Sequence, residues 1–163
     1  LLLKLSHVEE KLGQYEQALS WAGQARTALQ SLENPEAARH AARSGAWQAV
    51  LLQAQGKTTE ALSWAERIVA EAEAADEPEA LADAFFVMGW AYGELGKDGG
   101  LEFMQRSLEA CQRTGNLSRQ AHLLLNLAVA FQWAGGCDEA LSYYERGREE
   151  TLTTGDKVGA ETK

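Results

Sequence analysis

Apolar residues recur along this chain at the three- and four-residue spacings of amphipathic helices, and short polar turns interrupt them in the same way at a fixed interval. Each interruption is a glycine, followed five residues later by an alanine and at once by a leucine. The pattern reads Gly13 with Ala18-Leu19, Gly56 with Ala61-Leu62, and Gly135 with Ala140-Leu141, while Gly96 with Leu101 is a worn copy. The turn glycines lie 43, 40 and 39 residues apart. Seven residues before each stands a small residue, Ser6, Ala49, Gly89 or Ala128, which lets two helices cross closely. Four before stand Glu9, Leu52, Tyr92 and Phe131, and eight before stand Leu5, Gln48, Met88 and Leu127, so Glu9 and Gln48 depart from an otherwise apolar face. Eight after stand Trp21, Trp64, Met104 and Tyr143, bulky enough to cover the junction with the preceding helix. Each repeat therefore predicts helix, tight turn, helix, and units this small must stack on neighbours to bury their apolar faces.

Boundary residues agree. Both prolines of the chain, Pro35 and Pro78, sit at first helical positions with Glu36 and Glu79 just inside, where acids suit the positive helix end. Gly115-Asn116 and Gly155-Asp156 supply a glycine and an N-cap residue at two further junctions. The pattern predicts helices near 1–11, 14–31, 36–54, 58–75, 79–95, 99–113, 117–134 and 138–153. It divides one all-α repeat domain, 1–163, into repeats of about 1–33, 34–76, 77–115 and 116–155, with 156–163 beginning a further helix or fraying.

The pattern resembles the tetratricopeptide repeat, whose usual period is 34 residues. Met88-Gly89 through Tyr92 to Gly96 matches the first half of that motif, and Gly13-Gln14-Tyr15 to Ala18-Leu19 matches the second. The longer period, with Thr114-Gly115-Asn116 and Thr154-Gly155-Asp156 as joints, is similar to the forty-residue variant of kinesin light chains, Rap-type bacterial regulators and large ATP-binding transcriptional activators. The run from Tyr143-Tyr144-Glu145-Arg146 through Gly155 to Ala160 is most similar to bacterial signalling proteins that carry a cyclase or ATPase domain ahead of such repeats. The resemblance covers nearly the whole chain. It implies an α–α superhelical solenoid of about four repeats that acts as a protein-interaction, scaffold or sensor module.

Charge and chemistry narrow the function classes. A net charge of −9 with pI near 4.8 argues against nucleic acid, because phosphate contacts need an excess of Lys and Arg. Runs such as Glu71-Ala72-Glu73 read as solvated helix faces. Membrane binding is not expected: no apolar run approaches the ~18 residues of a spanning helix, and Leu1-Leu2-Leu3-Lys4-Leu5 is too short for a signal peptide. The missing initial methionine and incomplete first repeat read as a piece of a longer chain. Cys111 and Cys137, 26 apart, read as reduced thiols of a cytoplasmic protein. Gly56-Lys57-Thr58-Thr59 resembles the end of a phosphate-binding loop, but Leu51 occupies the place of its leading glycine. His7, His40 and His122 lack partners at metal-ligand spacing, and Ser6 and Ser118 lack an evident base. No cofactor, metal or catalytic residue is expected.

What remains is the concave groove, which the resemblance assigns to the first helix of each repeat. Counting back from the turn glycines places Arg43, Ala46, Trp47 and Val50, then Asp83, Phe86, Val87 and Trp90, then His122, Leu125, Asn126 and Val129, with Gln132 and Trp133 beyond. Of these, Arg43, Trp47, Phe86, Trp90, His122, Asn126 and Trp133 are the expected peptide-binding residues, since tryptophan and arginine dominate interface energetics. The competing reading makes Trp47, Phe86 and Trp90 inter-helix packing. The resemblance also implies a peptide-clamping asparagine at Asn126, yet the equivalent positions are Lys4, Trp47 and Val87, so no asparagine ladder forms. A mixed apolar groove fits a hydrophobic peptide or an amphipathic helix, from another protein or another domain of the same chain. The alternatives are a structural spacer or homo-oligomerisation segment pairing through the stack ends, where Leu1, Leu2, Leu3 and Leu5 cluster, and an accessory to a catalytic domain elsewhere in the chain.

Overall fold

The computed structural model describes the backbone through residue 161 and the side chains through residue 153. Eight helices follow in order, and the described residues hold no strand: α1 (Leu2–Lys11), α2 (Tyr15–Gln30), α3 (Pro35–Ala54), α4 (Thr58–Ala74), α5 (Pro78–Glu94), α6 (Gly100–Gln112), α7 (Leu117–Trp133) and α8 (Cys137–Glu161). Each helix packs on the next, and α3 also packs on α5. This is a stack of helical hairpins in which sequence neighbours are space neighbours.

The recurring glycine has a definite backbone job. Gly13, Gly56, Gly96 and Gly135 adopt φ of 74°, 72°, 64° and 85°, the left-handed region that glycine enters without a Cβ penalty. The N–H of the following residue then reaches back to the carbonyl five positions earlier: Gln14 to Glu9 at 2.8 Å, Lys57 to Leu52 at 3.0 Å, Lys97 to Tyr92 at 2.8 Å and Gly136 to Phe131 at 2.9 Å. These are Schellman closures, and they fix the register in which the second helix folds back. Asp76 makes the same closure between α4 and α5 at φ 47°, Glu77 donating to Ala72 at 2.9 Å. Gly56 of the phosphate-loop-like run is thus a helix-joining turn. At the helix starts, Asn34 and Asn116 accept from the N–H groups of Ala37 and Arg119 at 2.8 and 3.0 Å.

The small residues sit at the crossings, as their spacing predicts. Ala49 and Ala128 are fully buried. Ser6, also fully buried, donates to the Ala18 carbonyl at 2.7 Å. At Gly89 a Cβ would lie 2.5 Å from Met104 Cγ and 2.9 Å from the Gly100 carbonyl oxygen, so α5 and α6 meet there almost backbone to backbone. The bulky residues beyond the turns do cover the junctions: Trp64 Nε1 donates to the Gly45 carbonyl at 2.8 Å, and Tyr143 stacks on Phe131 with centroids 5.3 Å apart.

Arginine–carboxylate pairs tie one repeat to the next. Arg26 of α2, buried beneath Trp64, holds both oxygens of Glu71 of α4 at 2.7 Å. Gly45 makes the room, since a Cβ there would stand 2.1 Å from Arg26 Nη1. Arg43 of α3 reaches Glu77 at 3.0 Å and Glu79 at 3.3 Å, and Arg119 of α7 contacts Asp83 of α5.

One expectation is corrected. The junction predicted at Gly155-Asp156 is absent, because α8 runs without interruption to Glu161. A glycine costs a helix interior about 1 kcal/mol without forbidding it. The break at Gly115 comes from its positive φ and from α7 packing back, not from glycine alone. Residues 162–163 of the expected further helix lie outside the described residues.

Gly89→Ala should lower the unfolding free energy by about 1–3 kcal/mol, because the added methyl meets Met104 and the Gly100 carbonyl and the backbones cannot part cheaply. Urea denaturation checks this; an unchanged midpoint would contradict the close crossing.

Candidate interaction groove

The first helices α1, α3, α5 and α7 form one face of the stack and the second helices the other, and charge divides between them. Through residue 153 the first helices carry six Asp and Glu against five Lys and Arg, the second helices twelve against five. Most of the excess acid therefore lies on the second-helix face, and the first-helix face is close to neutral.

On that face the structure joins three of the expected residues into a string. Phe86 and Trp90, one turn apart on α5, meet edge to face with centroids 6.3 Å apart, and Trp90 meets Trp133 of α7 edge to face at 5.7 Å. Phe86 and Trp90 are half-buried against the core, whereas Trp133 is 72% exposed. Leu125, on α7, is also exposed. The arrangement offers continuous aromatic surface of the sort that fills pockets or receives apolar side chains.

Trp47 is placed differently. Its Nε1 donates to Ser6 Oγ at 2.8 Å and its ring lies 4.0 Å from that of His7, which packs it between α1 and α3. Burial against this ring lowers the His7 pKa, with Asp83 and Glu10 opposing and Lys11 adding to the effect. Ser6 is the hinge of the arrangement, accepting from Trp47 while donating to Ala18. Arg43 is held by Glu77 and Glu79 at the start of α5, away from the aromatic string. His122 stands at the surface of α7, its pKa lowered by partial burial of the ring and by the Arg119 charge. Asn126 Nδ2 donates to the His122 carbonyl of its own helix at 2.9 Å.

Two of the residues counted onto the groove face, Ala46 and Val87, are fully buried in the core and line nothing. The Asp83–Arg119 contact is the feature that counting from the glycines missed. Burial raises the Asp83 pKa, and the Arg119 charge offsets this only in part. Cys111 is buried, Cys137 exposed, and both are free.

Neither a protein-family model nor a curated protein matches the sequence. Solved structures do match. The chain is similar to the apo form of RapI, with 19% identity, a TM-score of 0.77, and coverage of 98% of this chain and 57% of that one. It is similar to aspartyl phosphate phosphatase F from Bacillus subtilis, at 15% identity and a TM-score of 0.79 over 95% of this chain and 40% of that one. A third likeness is to a signal transduction ATPase with numerous domains, with a tetratricopeptide repeat sensor, from Pyrococcus horikoshii, at 15% identity and a TM-score of 0.74 over 94% of this chain and 23% of that one.

The fold is that of a tetratricopeptide-repeat solenoid. The chain spans between about a quarter and three fifths of the length of these structures. The solenoid's described residues include no helix long and apolar enough to cross a membrane. They also bring together no group of three or more His, Cys, Asp and Glu able to hold a metal ion.

Trp47→Ala should cost about 3–5 kcal/mol of stability, losing core packing and the Ser6 hydrogen bond, whereas Trp133→Ala should change stability by less than about 0.5 kcal/mol. Thermal melts of the two variants separate the packing role from the surface role; equal losses would contradict this division.

Proposed function

We propose that this solenoid is a protein-interaction module that takes an apolar peptide or amphipathic helix on its first-helix face and performs no chemistry of its own. The observation that carries the reading is the string Phe86–Trp90–Trp133, which ends in an indole 72% exposed on the nearly neutral side of an acidic protein. Keeping a large indole in water has a cost that a bound apolar segment would recover, and aromatic anchors of this kind dominate interface energetics. His122, Asn126 and Leu125 border the string on α7 and would supply polar and apolar contacts around it. Arg43 and Trp47 contribute by holding α3 against α5 and α1. The likeness to RapI and to a signal transduction ATPase with a tetratricopeptide repeat sensor supports a regulatory part of a larger bacterial signalling protein, in the cytoplasm, whose ligand is another protein or another domain of the same chain.

Selection from a library of displayed random peptides tests this. Wild-type protein should enrich sequences rich in large apolar residues, and a Trp90→Ala, Trp133→Ala variant that keeps its helicity should not bind them. Equal binding by the variant would remove the groove from consideration.

A second reading, association through the stack ends, rests on repeat equivalence. Leu51 and Leu62 are 0% and 5% exposed inside the stack, but Val8 and Leu141 at the corresponding positions of the end helices are 53% and 58% exposed. These faces match the ones that join repeats within the chain, so they suit a further repeat or a second copy. Leu141→Lys should reduce any concentration-dependent rise in mass seen by sedimentation; a wild-type monomer at high concentration would end this reading.

A further inference from the structure

The third hairpin closes one residue shorter than the fourth: Tyr92, four before its turn glycine, meets Phe103, seven after it, whereas Phe131, four before, stacks on Tyr143, eight after. Leu101, five after Gly96, thus stands where Leu141 stands in the fourth repeat. Beside Leu101, between the end of α5, the turn, the start of α6 and the end of α7, lies a cleft of about 480 Å³ walled by Trp90, Leu101, Met104, Ala130 and Trp133. That volume is within the range of about 300–1,000 Å³ usual for ligand clefts.

Glycines shape it. Gly89 and Gly100 let the helices close at its base, while Gly93 faces open space, with no atom within 4 Å of a Cβ built there. The rim carries Glu94, Asp98 and Lys97. The Lys97 ammonium lies over the Tyr92 ring at 5.3 Å, Glu94 accepts from Thr58 at 2.5 Å, and Asp98 makes no hydrogen bond or ion pair among the described residues. The rim thus carries two carboxylates and one ammonium, and the ammonium lies over a ring.

The geometry points to an anchor pocket for a partner segment that carries a large apolar side chain with a lysine or arginine beside it. This rests on the groove reading above and assigns the chemistry of its strongest contact. The apolar side chain fills the cleft against Trp90, Leu101, Met104 and Trp133, where it displaces water from apolar walls. The neighbouring cation meets Asp98 and Glu94 and the open face of Trp133. The chain's net −9 favours the approach of such a segment over an acidic one.

The test uses the whole chain with isotope-labelled tryptophan and short blocked peptides centred on Phe-Arg, Phe-Glu or Ala-Arg. Phe-Arg should shift the indole resonances of Trp90 and Trp133 and leave those of Trp21 and Trp64 in place, and the other two peptides should bind roughly tenfold more weakly or worse. Gly93→Leu fills the cleft from a helical position where leucine is the better helix former, so it should abolish the Phe-Arg shifts while helicity is kept. A Glu94→Gln, Asp98→Asn variant, altered only at the surface, should erase the preference for Phe-Arg over Phe-Glu and serves if Gly93→Leu misfolds. No shift of Trp90 and Trp133 with Phe-Arg, or the same affinity after Gly93→Leu, overturns the pocket. If Gly93→Leu leaves binding of library-selected peptides intact while Phe86→Ala removes it, the pocket falls and the groove reading stands; if no selected peptide binds either form, the groove reading falls as well.

Discussion

No helix of this chain can hide its apolar face alone, and everything else in the structure follows from that constraint. In proteins most of a helix's stability comes from packing its apolar face, and each helix here carries such a face. Each must lie against the next, so the chain folds as a row of hairpins whose contacts are nearly all between sequence neighbours. Closeness at the crossings decides how well the row packs. Ser6, Ala49, Gly89 and Ala128 supply that closeness, and Schellman turns at the glycines seven residues later aim the second helix at it.

Polar ties then fix each hairpin on the one before. Arg26 with Glu71, Arg43 with Glu77 and Arg119 with Asp83 all cross a repeat boundary, each with its charge at least partly withdrawn from water. Burying an arginine is tolerable only with a partner in bidentate or close contact, so these pairs also specify which hairpin faces which. Their placement leaves the first-helix face with aromatic surface and little net charge, while carboxylates crowd the second helices. A single stack thereby has one side suited to apolar partners and another that stays hydrated.

Most of the fold was legible because its signals are local. A turn glycine, an alanine-leucine pair and a proline at a helix start each act within a few residues, and all reappear at the expected places. What was not legible depended on distant partners. Gly45 reads as an ordinary small residue until Arg26, 19 positions away, is seen to occupy its side-chain space. Trp47 has the composition of a binding residue, yet Ser6 and His7 of another helix claim it. Ala46 and Val87 fell on the wrong side because a count from the turn fixes a face only to within a residue or so, and α5 is apolar nearly all round. Glycine at 155 carries the same letter as glycine at 115, and only the packing of a following helix distinguishes a joint from a helical interior. Of the expected groove residues, Phe86, Trp90 and Trp133 share one string because the repeat period brings α5 and α7 side by side, whereas Asn126 turns back on its own helix.

Repeats in a stack touch only their neighbours, so a local departure in one hairpin is felt at the adjoining joint and not by distant repeats. Here α6 starts four residues after its turn glycine, where α2, α4 and α8 start two after theirs. The cleft that adjoins this late start is walled by Trp90 of α5, Leu101 and Met104 of α6, and Ala130 and Trp133 of α7. Any side chain seated there would touch three helices at once, and would tie the third repeat to the fourth as the arginine pairs tie one repeat to the next.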